Sequence, residues 1–236
     1  MDPLETHRIF IFFDTETTGL DTKTNEIIEI ALLTSSAERC FDTLVRPESM
    51  NELPRKITEL TGITYEMCVR DGVSKQTMVE RVIAFIDREK ALRPNRQIVL
   101  CGHNARNFDV PILKRTFEEC GREFPSDWRT CDTMLWSMKF FGFHIKHGLA
   151  ACVERYALNG ENGDEDTLGP AHRALSDTYA TLKLFRKLMT LAPTQHDVTQ
   201  ASTVEFLDAW IENEEHVYHT ERQRYFANRP ARPPNP

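Results

Sequence analysis

An apolar run that ends in two carboxylates constrains the fold of this chain more than any other feature. Residues 8–13 (Arg-Ile-Phe-Ile-Phe-Phe) are β-branched and aromatic without polar alternation, which is typical of a strand buried on both faces. Asp14 and Glu16 follow directly. Because residues i and i+2 of a strand point to the same side, both carboxylates should project together from one strand end.

Apolar patterns downstream predict a mixed sheet. Short β-branched runs indicate four further strands, and the first two of these form an antiparallel meander with the opening strand. The predicted strands fall at residues 26–33, 40–45, 97–101 and 129–133. The main predicted helices fall at about 74–92, 108–120 and 174–191. This order implies an α/β domain with a mixed five-stranded sheet flanked by helices.

The character of the sequence changes near Pro193. Residues 1–192 are predicted to form the folded domain, with an acidic loop over 159–169. Residues 193–236 are predicted to form a C-terminal helical extension that ends in a Pro/Arg-rich flexible tail. From 216 to 236 there are four arginines and one glutamate, a local balance of +3 in a chain of net charge −7. Such a tail could bind nucleic acid or a protein partner.

Composition excludes several classes of protein. Purely apolar runs of about five residues are too short for a membrane span, which needs roughly 20. The acidic N-terminus lacks the features of a signal peptide, and none of the six cysteines forms a Cys-x-x-Cys pair. We therefore expect an intracellular protein, in the cytoplasm or the nucleus. The net charge argues against a protein that coats nucleic acid, but not against an enzyme that meets phosphate through metal ions.

The pair of Asp14 and Glu16 is consistent with a metal site. Two ionised carboxylates side by side repel each other, and a bound cation is the commonest relief. Hard oxygen ligands favour Mg²⁺ or Mn²⁺ over zinc. A charged strand end that simply meets solvent is the competing interpretation, and this segment alone does not separate the two.

Two further polar clusters fall at predicted ends of elements. His103, Asn104 and Asp109 follow an apolar strand, at a sheet edge of the kind where α/β proteins usually bind ligands. His172 and Asp177 lie about 140° apart around a helix axis, so they converge only if His172 lies at or before the first turn. Taken singly, each cluster is explained as well or better by helix capping, by a structural histidine or by an acid in the first turn of a helix.

The three segments together resemble a known family. Residues 14–20 (Asp-Thr-Glu-Thr-Thr-Gly-Leu), the His-Asn-x4-Asp segment 103–109 and the His-x4-Asp segment 172–177 are similar to the motifs of DnaQ-like exonucleases. These form the histidine-containing DEDDh branch of the DEDD superfamily. The likeness spans about residues 8–190, with the motifs in the right order. It implies a ribonuclease H-like fold and identifies residues 1–192 as a DEDDh exonuclease domain.

The resemblance also implies an activity. It indicates a 3′→5′ exonuclease that hydrolyses DNA, single strands or 3′ ends, to nucleoside 5′-monophosphates with two bound Mg²⁺ or Mn²⁺ ions. The implied metal ligands are Asp14, Glu16, Asp109 and Asp177, and the implied general base is His172. The implied contacts to the terminal nucleotide are Thr17, Leu20, Asn104 and Ile63, with a plain core role as the alternative for Ile63.

Three alternatives to a DNA exonuclease stay open. A 3′→5′ exoribonuclease of the same branch uses the same five residues, although the Thr-Thr-Gly-Leu sequence after Glu16 favours DNA. An endonuclease of the ribonuclease H class also gathers acids around two metals, but the His-x4-Asp pairing argues against it. A catalytically silent nucleic-acid-binding module would be expected to have lost at least one of the acids or the histidine.

Overall fold

The computed structural model describes residues 7–142, 145–158, 170–196 and 207–212, and the single positions 216, 219, 220, 223 and 227. Over these residues the chain forms a five-stranded sheet with helices packed on both faces. The strands are β1 (Arg8–Thr17), β2 (Ile27–Thr34), β3 (Cys40–Leu44), β4 (Gln97–Gly102) and β5 (Arg129–Asp132). The helices are α1 (Arg55–Thr61), α2 (Tyr65–Asp71), α3 (Lys75–Leu92), α4 (Asp109–Glu119), α5 (Thr133–Phe141), α6 (Leu149–Arg155) and α7 (Ala174–His196).

Strand β1 is the centre of the sheet. The strand order is β3-β2-β1-β4-β5, with β2 antiparallel and β4 parallel to β1. The mixed five-stranded sheet with flanking helices that the sequence predicts is therefore confirmed. Because β5 also runs parallel to β4, the carboxyl ends of three strands lie at one edge of the sheet. Ligands usually bind at such an edge in α/β folds.

The burial of β1 on both sides follows from a separate core on each face. Phe10 and Phe12 pack on one face with residues of α5 and α7. Ile9, Ile11 and Phe13 pack on the other face with residues of α3 and α4. Each buried side chain of this size stabilises the fold by about 1.5–3 kcal/mol, so β1 is held firmly in place.

Helix α7 is longer than the sequence pattern predicts. It continues through Pro193 to His196 rather than ending near residue 191. A proline in a helix removes a single backbone donor and either kinks or ends the helix, and here the helix continues past it. The change of composition at Pro193 therefore does not mark the end of the helix.

Part of the C-terminal extension contributes to the core. Residues 207–212 are helical, and three of their side chains are buried in the cluster formed by α5 and α7. The Trp210 ring lies 5.3 Å from the Trp136 ring of α5, measured between centroids. Two acids of the same segment form ion pairs with Arg8 at the start of β1. The extension is thus joined to the domain by apolar and ionic contacts.

Some predictions lie outside the described residues. The loop over 159–169 and nearly all of the tail after 212 belong to this group. The domain boundary at 192 and the flexibility of the tail accordingly stay predictions. Of the helices that the structure does describe, none is long and apolar enough to cross a membrane.

The substitution Trp210→Ala tests whether the extension is part of the folding unit. Removal of a buried indole leaves a cavity, so we expect the free energy of unfolding to fall by about 3–5 kcal/mol in urea denaturation. Leu92→Ala, at an exposed position, is the control and should change this free energy by less than about 0.5 kcal/mol. An unchanged value for Trp210→Ala would mean that the extension does not stabilise the domain.

Candidate active site

Two acids leave the carboxyl end of β1 on the same side. Asp14 and Glu16 are half-buried, whereas the adjacent Phe13 and Thr15 are buried, and this is the alternation expected of a strand. Both carboxylates therefore stand side by side at the middle of the sheet edge, as the two-residue period predicts.

Asp109 reaches the same strand end from α4. It is the first residue of that helix and is only 4% exposed. Its Oδ1 atom accepts hydrogen bonds from the Thr15 amide at 3.1 Å and from Thr15 Oγ1 at 2.5 Å. Since β4 pairs with β1 only as far as Phe12, Asp109 satisfies a backbone donor that lies beyond the end of that pairing. These hydrogen bonds fix the carboxylate beside the end of β1.

His172 and Asp177 converge on Glu16 from the start of α7. One ring nitrogen of His172 and carboxylate oxygens of Glu16 and Asp177 all lie within 4.8 Å of one another. His172 precedes α7, which begins at Ala174, so the geometric condition for convergence is met. Asp177 lies in the first turn and accepts a hydrogen bond from the His172 amide.

The backbone of His172 is in the left-handed region, with a φ angle of 62°. For a residue with a β-carbon this conformation costs about 1–2 kcal/mol. Asn104, in the segment that leads to Asp109, has the same φ angle of 62°. Strained backbone of this kind concentrates at functional sites, where the surrounding structure holds it in place.

The clustered carboxyl groups raise one another's pKa. Burial and the charges of four neighbouring acids raise the pKa of Asp14 well above its ordinary value. Burial and the nearby Asp177 raise the pKa of Glu16 to about 8. Burial raises the pKa of Asp109 to about 7 and also raises the pKa of Asp177. Within the part of the chain that the structure describes, there is too little positive charge near the four carboxyl groups to hold them all ionised at neutral pH.

This shortage of positive charge suits divalent cations. Perturbed carboxyl groups in a cluster are a common mark of a functional site. The atoms available as metal ligands are carboxylate oxygens and one imidazole nitrogen, and oxygen atoms are the ligands that Mg²⁺ and Mn²⁺ prefer. The four acids therefore fit the kind of metal site that the sequence predicts, with His172 at its exposed side.

Asp132 supports the loop between β4 and α4, a role that the sequence reasoning missed. Its carboxylate is fully buried and accepts hydrogen bonds from the amides of Asn104 at 2.9 Å, Arg106 at 3.1 Å and Met134 at 3.0 Å. Burial raises the pKa of Asp132, and these hydrogen bonds act in the opposite direction. An acid at the carboxyl end of a predicted strand was the signal that could have found it.

Both ring nitrogens of His103 are used within the fold. Nδ1 lies 2.9 Å from Thr133 Oγ1, and Nε2 lies 2.8 Å from the His147 carbonyl oxygen. A carbonyl only accepts, so Nε2 carries the proton and Nδ1 is the unprotonated nitrogen of the neutral ring. Burial lowers the pKa of His103 to about 4, which favours this neutral ring. His103 therefore joins the end of β4 to its neighbours.

The four residues that the resemblance assigns to the nucleotide differ in exposure. Leu20 is 84% exposed on the loop after β1, and Asn104 is half-buried after β4. Thr17 is buried, and its hydroxyl donates to a backbone carbonyl two residues on. Ile63 is 0% exposed and packs in a small apolar cluster with residues of β2 and α2. In this structure Ile63 offers no surface to a base, and its packing supports the core role.

Comparison with known proteins gives a family and several relatives. Residues 11–185 match the family described as RNase_T, exonuclease. The chain is 33% identical over 186 residues to "Exonuclease DPD1, chloroplastic/mitochondrial" of Arabidopsis thaliana, which covers 75% of this chain and 55% of that protein. It is 33% identical over 186 residues to a DNA polymerase III subunit epsilon-like protein of Rhodobacter capsulatus, and the match covers 76% of this chain and 23% of that protein. It is 29% identical over 182 residues to a PolC-type DNA polymerase III of Mycoplasma genitalium, and the match covers 75% of this chain and 11% of that protein. The chain thus spans about half the length of the first relative and a smaller share of the others.

Solved structures share the fold. A zinc-bound E. coli ExoI–ssDNA complex superposes with a TM-score of 0.64 at 16% identity and covers 81% of this chain and 42% of that one. A second structure of exonuclease I has a TM-score of 0.64 at 16% identity and covers 86% and 44%. At this level of identity the likeness shows a common fold and no more.

The raised pKa values predict how the metal-free protein responds to pH. A carboxyl group whose pKa is higher in the folded chain holds its proton more tightly there, so its ionisation weakens the fold. For Glu16 the loss of stability falls in the pH window from 4.5, its ordinary pKa, to about 8, its pKa in the folded chain. We expect the melting temperature in EDTA to fall as pH rises through this window and to level off above it. Added Mg²⁺ should counteract the loss, most strongly at the alkaline end.

Matched variants separate this effect from general charge effects. Glu16→Gln removes one of the groups with a raised pKa and should flatten the slope of melting temperature against pH. Glu59→Gln, at an exposed position on α1, should leave the slope as it is in the unmodified protein. Equal slopes in all three proteins would contradict the raised pKa of Glu16.

Proposed function

The chain belongs to the RNase_T exonuclease family, and on this basis we propose that it is a metal-dependent 3′→5′ exonuclease acting on DNA, on single strands or on 3′ ends. The matched region contains all three sequence motifs, so the resemblance to DnaQ-like DEDD exonucleases is confirmed. The mixed sheet with flanking helices has the ribonuclease H-like fold of exonuclease I. Membership makes the chain a nuclease of the hydrolase class.

One observation carries the proposal. Glu16, His172 and Asp177 come from segments far apart in the chain, yet their ligand atoms lie within 4.8 Å of one another. Asp14 stands beside Glu16 on the same strand, and Asp109 is hydrogen-bonded to the residue between them. The five residues that the resemblance assigns to a DEDDh site therefore stand at one sheet edge.

The proposed metal ligands are the four carboxylates of Asp14, Glu16, Asp109 and Asp177. Their raised pKa values indicate that added positive charge would stabilise the ionised forms. Two bound Mg²⁺ or Mn²⁺ ions would supply charge neutralisation to the phosphate oxygens and make a water molecule more acidic.

His172 is the proposed general base. It is the exposed member of the cluster, so its imidazole can meet a water molecule that arrives with a phosphodiester. Its backbone is held by the hydrogen bond from its amide to Asp177, and this directs the ring towards the acids. Hydrolysis then needs no serine or cysteine nucleophile, and the product would be a nucleoside 5′-monophosphate.

DNA is the proposed substrate because of the descriptions of similar proteins. Two relatives are DNA polymerase III proteins, and one structural neighbour is a complex with single-stranded DNA. Within this chain, exposed Leu20 is suited to pack against a terminal base, and Asn104 and Thr17 are the other proposed nucleotide contacts. An intracellular location and a partner for the tail are further expectations that rest on the sequence alone.

A digestion panel tests the activity and its polarity. Single-stranded DNA, duplex DNA and RNA of one sequence, each 5′-labelled, are incubated with Mg²⁺ or Mn²⁺. We expect a ladder that shortens from the 3′ end, with DNA degraded faster than RNA. Internal cuts would indicate a ribonuclease H-class endonuclease, and faster loss of RNA would indicate an exoribonuclease. No cleavage with either ion would contradict the proposed function.

Two variants test the roles assigned to His172 and Asp177. His172→Ala should lower kcat by about 100- to 10,000-fold, as expected for the loss of a general base, with little change in metal affinity by titration calorimetry. Asp177→Asn should lower both kcat and metal affinity. Asp71→Asn, at an exposed position on α2, is the control and should change neither. Equal losses of metal affinity in the first two variants would make His172 a metal ligand instead of the base.

A further inference from the structure

A buried ion pair joins β2 to the start of α7 beside the candidate site. Glu29 is 3% exposed, and its carboxylate accepts hydrogen bonds from the Arg173 guanidinium at 2.5, 3.0 and 3.1 Å. The same carboxylate accepts from the Ala174 amide at 2.8 Å. The roles carried over from the three sequence motifs include none of these residues.

The pair lies beside the acidic cluster, with Glu29 on the neighbouring strand. Glu29 is opposite Glu16 in the antiparallel register of β1 and β2, so both side chains emerge on the same face of the sheet. Arg173 and Ala174 are the two residues that follow His172 in the chain. One carboxylate on β2 therefore holds both the residue between the histidine and α7, Arg173, and the first residue of α7, Ala174.

The contacts of Glu29 commit its carboxylate to Arg173 and Ala174. Three N–H groups, Arg173 Nε and Nη2 and the Ala174 amide, donate to it, so both carboxylate oxygens are engaged. Its charge is also matched by the bidentate contact with the guanidinium. Glu29 is thus suited to act through the residues that it holds.

His172 needs such support. Its left-handed backbone, with φ at 62°, persists only where the surrounding structure holds it. The Asp177 carboxylate accepts from the His172 amide on one side, and Glu29 anchors the next two residues on the other. The Ala174 amide is also one of the donors at a helix N-terminus that have no partner within the helix, and an anion such as the Glu29 carboxylate is stabilising there.

We propose that Glu29 is a positioning residue, which fixes the start of α7 through Arg173 and Ala174 and so directs the His172 imidazole at Glu16 and Asp177. This inference rests on the proposed exonuclease function. Substitutions of residues that orient a metal-site ligand commonly lower activity by about 10- to 100-fold. An effect of that size on kcat is expected here, because Glu29 controls orientation and does not contact the substrate.

Glu29→Gln tests the proposal because it keeps the size of the side chain and removes its charge. We expect kcat to fall about 10- to 100-fold, with the KM for a short oligonucleotide within about twofold of the unmodified protein. In the metal-free protein, the imidazole resonances of His172 should shift, as seen by NMR after assignment with His172→Gln. Arg173→Gln should produce the same changes, and the double variant should be no worse than either single variant if the pair acts as a unit.

Two controls remove similar contacts elsewhere. Glu89→Gln breaks the ion pair between Arg39 and the fully buried Glu89 of α3. Arg186→Gln breaks the hydrogen bond from the Arg186 guanidinium of α7 to the Ser35 carbonyl. Both should lower the melting temperature while kcat and the His172 resonances stay unchanged. All assays are run below the lowest melting temperature among the variants, so that every variant is folded when its kcat is measured.

The outcomes separate the two proposals. If the unmodified protein degrades no nucleic acid, the proposed function fails, and the His172 resonances still test the positioning. If Glu29→Gln and Arg173→Gln leave kcat or the His172 resonances unchanged, the inference is overturned. Equal losses of kcat in Glu29→Gln and Glu89→Gln would also overturn it, because the effect would then be one of general stability.

Discussion

The burial of β1 on both faces is the constraint on which the candidate site depends. Five large apolar side chains, alternately directed into two cores, fix where the strand lies in the sheet. A shift of one residue along the strand would draw the Asp14 carboxylate towards the core, where an unpaired charge is costly. The register of β1 therefore sets where the acids begin. It also sets what lies beside them, because β2 places Glu29 opposite Glu16 and the end of β4 leaves room for Asp109.

The gathering of four carboxylates opposes folding, and the surrounding contacts offset only part of that cost. Thr15 donates twice to Asp109, and the His172 amide donates to Asp177. Arg173 lowers the pKa of Glu16, although burial and the neighbouring acids outweigh it. A fully compensated cluster would gain little from a cation. The proposed divalent ions would relieve the remaining repulsion, which would make it a form of stability given up for function.

Local pattern accounts for what could be predicted from the sequence. The central strand and the pairing of Asp14 with Glu16 follow from apolar content and the two-residue period of a strand. Glu29 stands among apolar residues of a predicted strand, and its partner Arg173 is 144 residues further along, so only the folded chain brings them together. The sequence left Ile63 open between a nucleotide contact and a core role, and the folded chain buries it. The long-range pair of Glu29 with Arg173 and the depth of Ile63 could therefore not be predicted from local sequence pattern.

Burial decreases across the cluster, and this order gives the site a direction. Asp109 is the most deeply buried acid, the acids of β1 and Asp177 are half-buried, and His172 is exposed. A carboxylate in a low-dielectric setting interacts more strongly with a cation than one in water. A group that must exchange protons with solvent at each turnover works better near the surface. The inner residues are thus suited to hold charge, and His172 is suited to move protons.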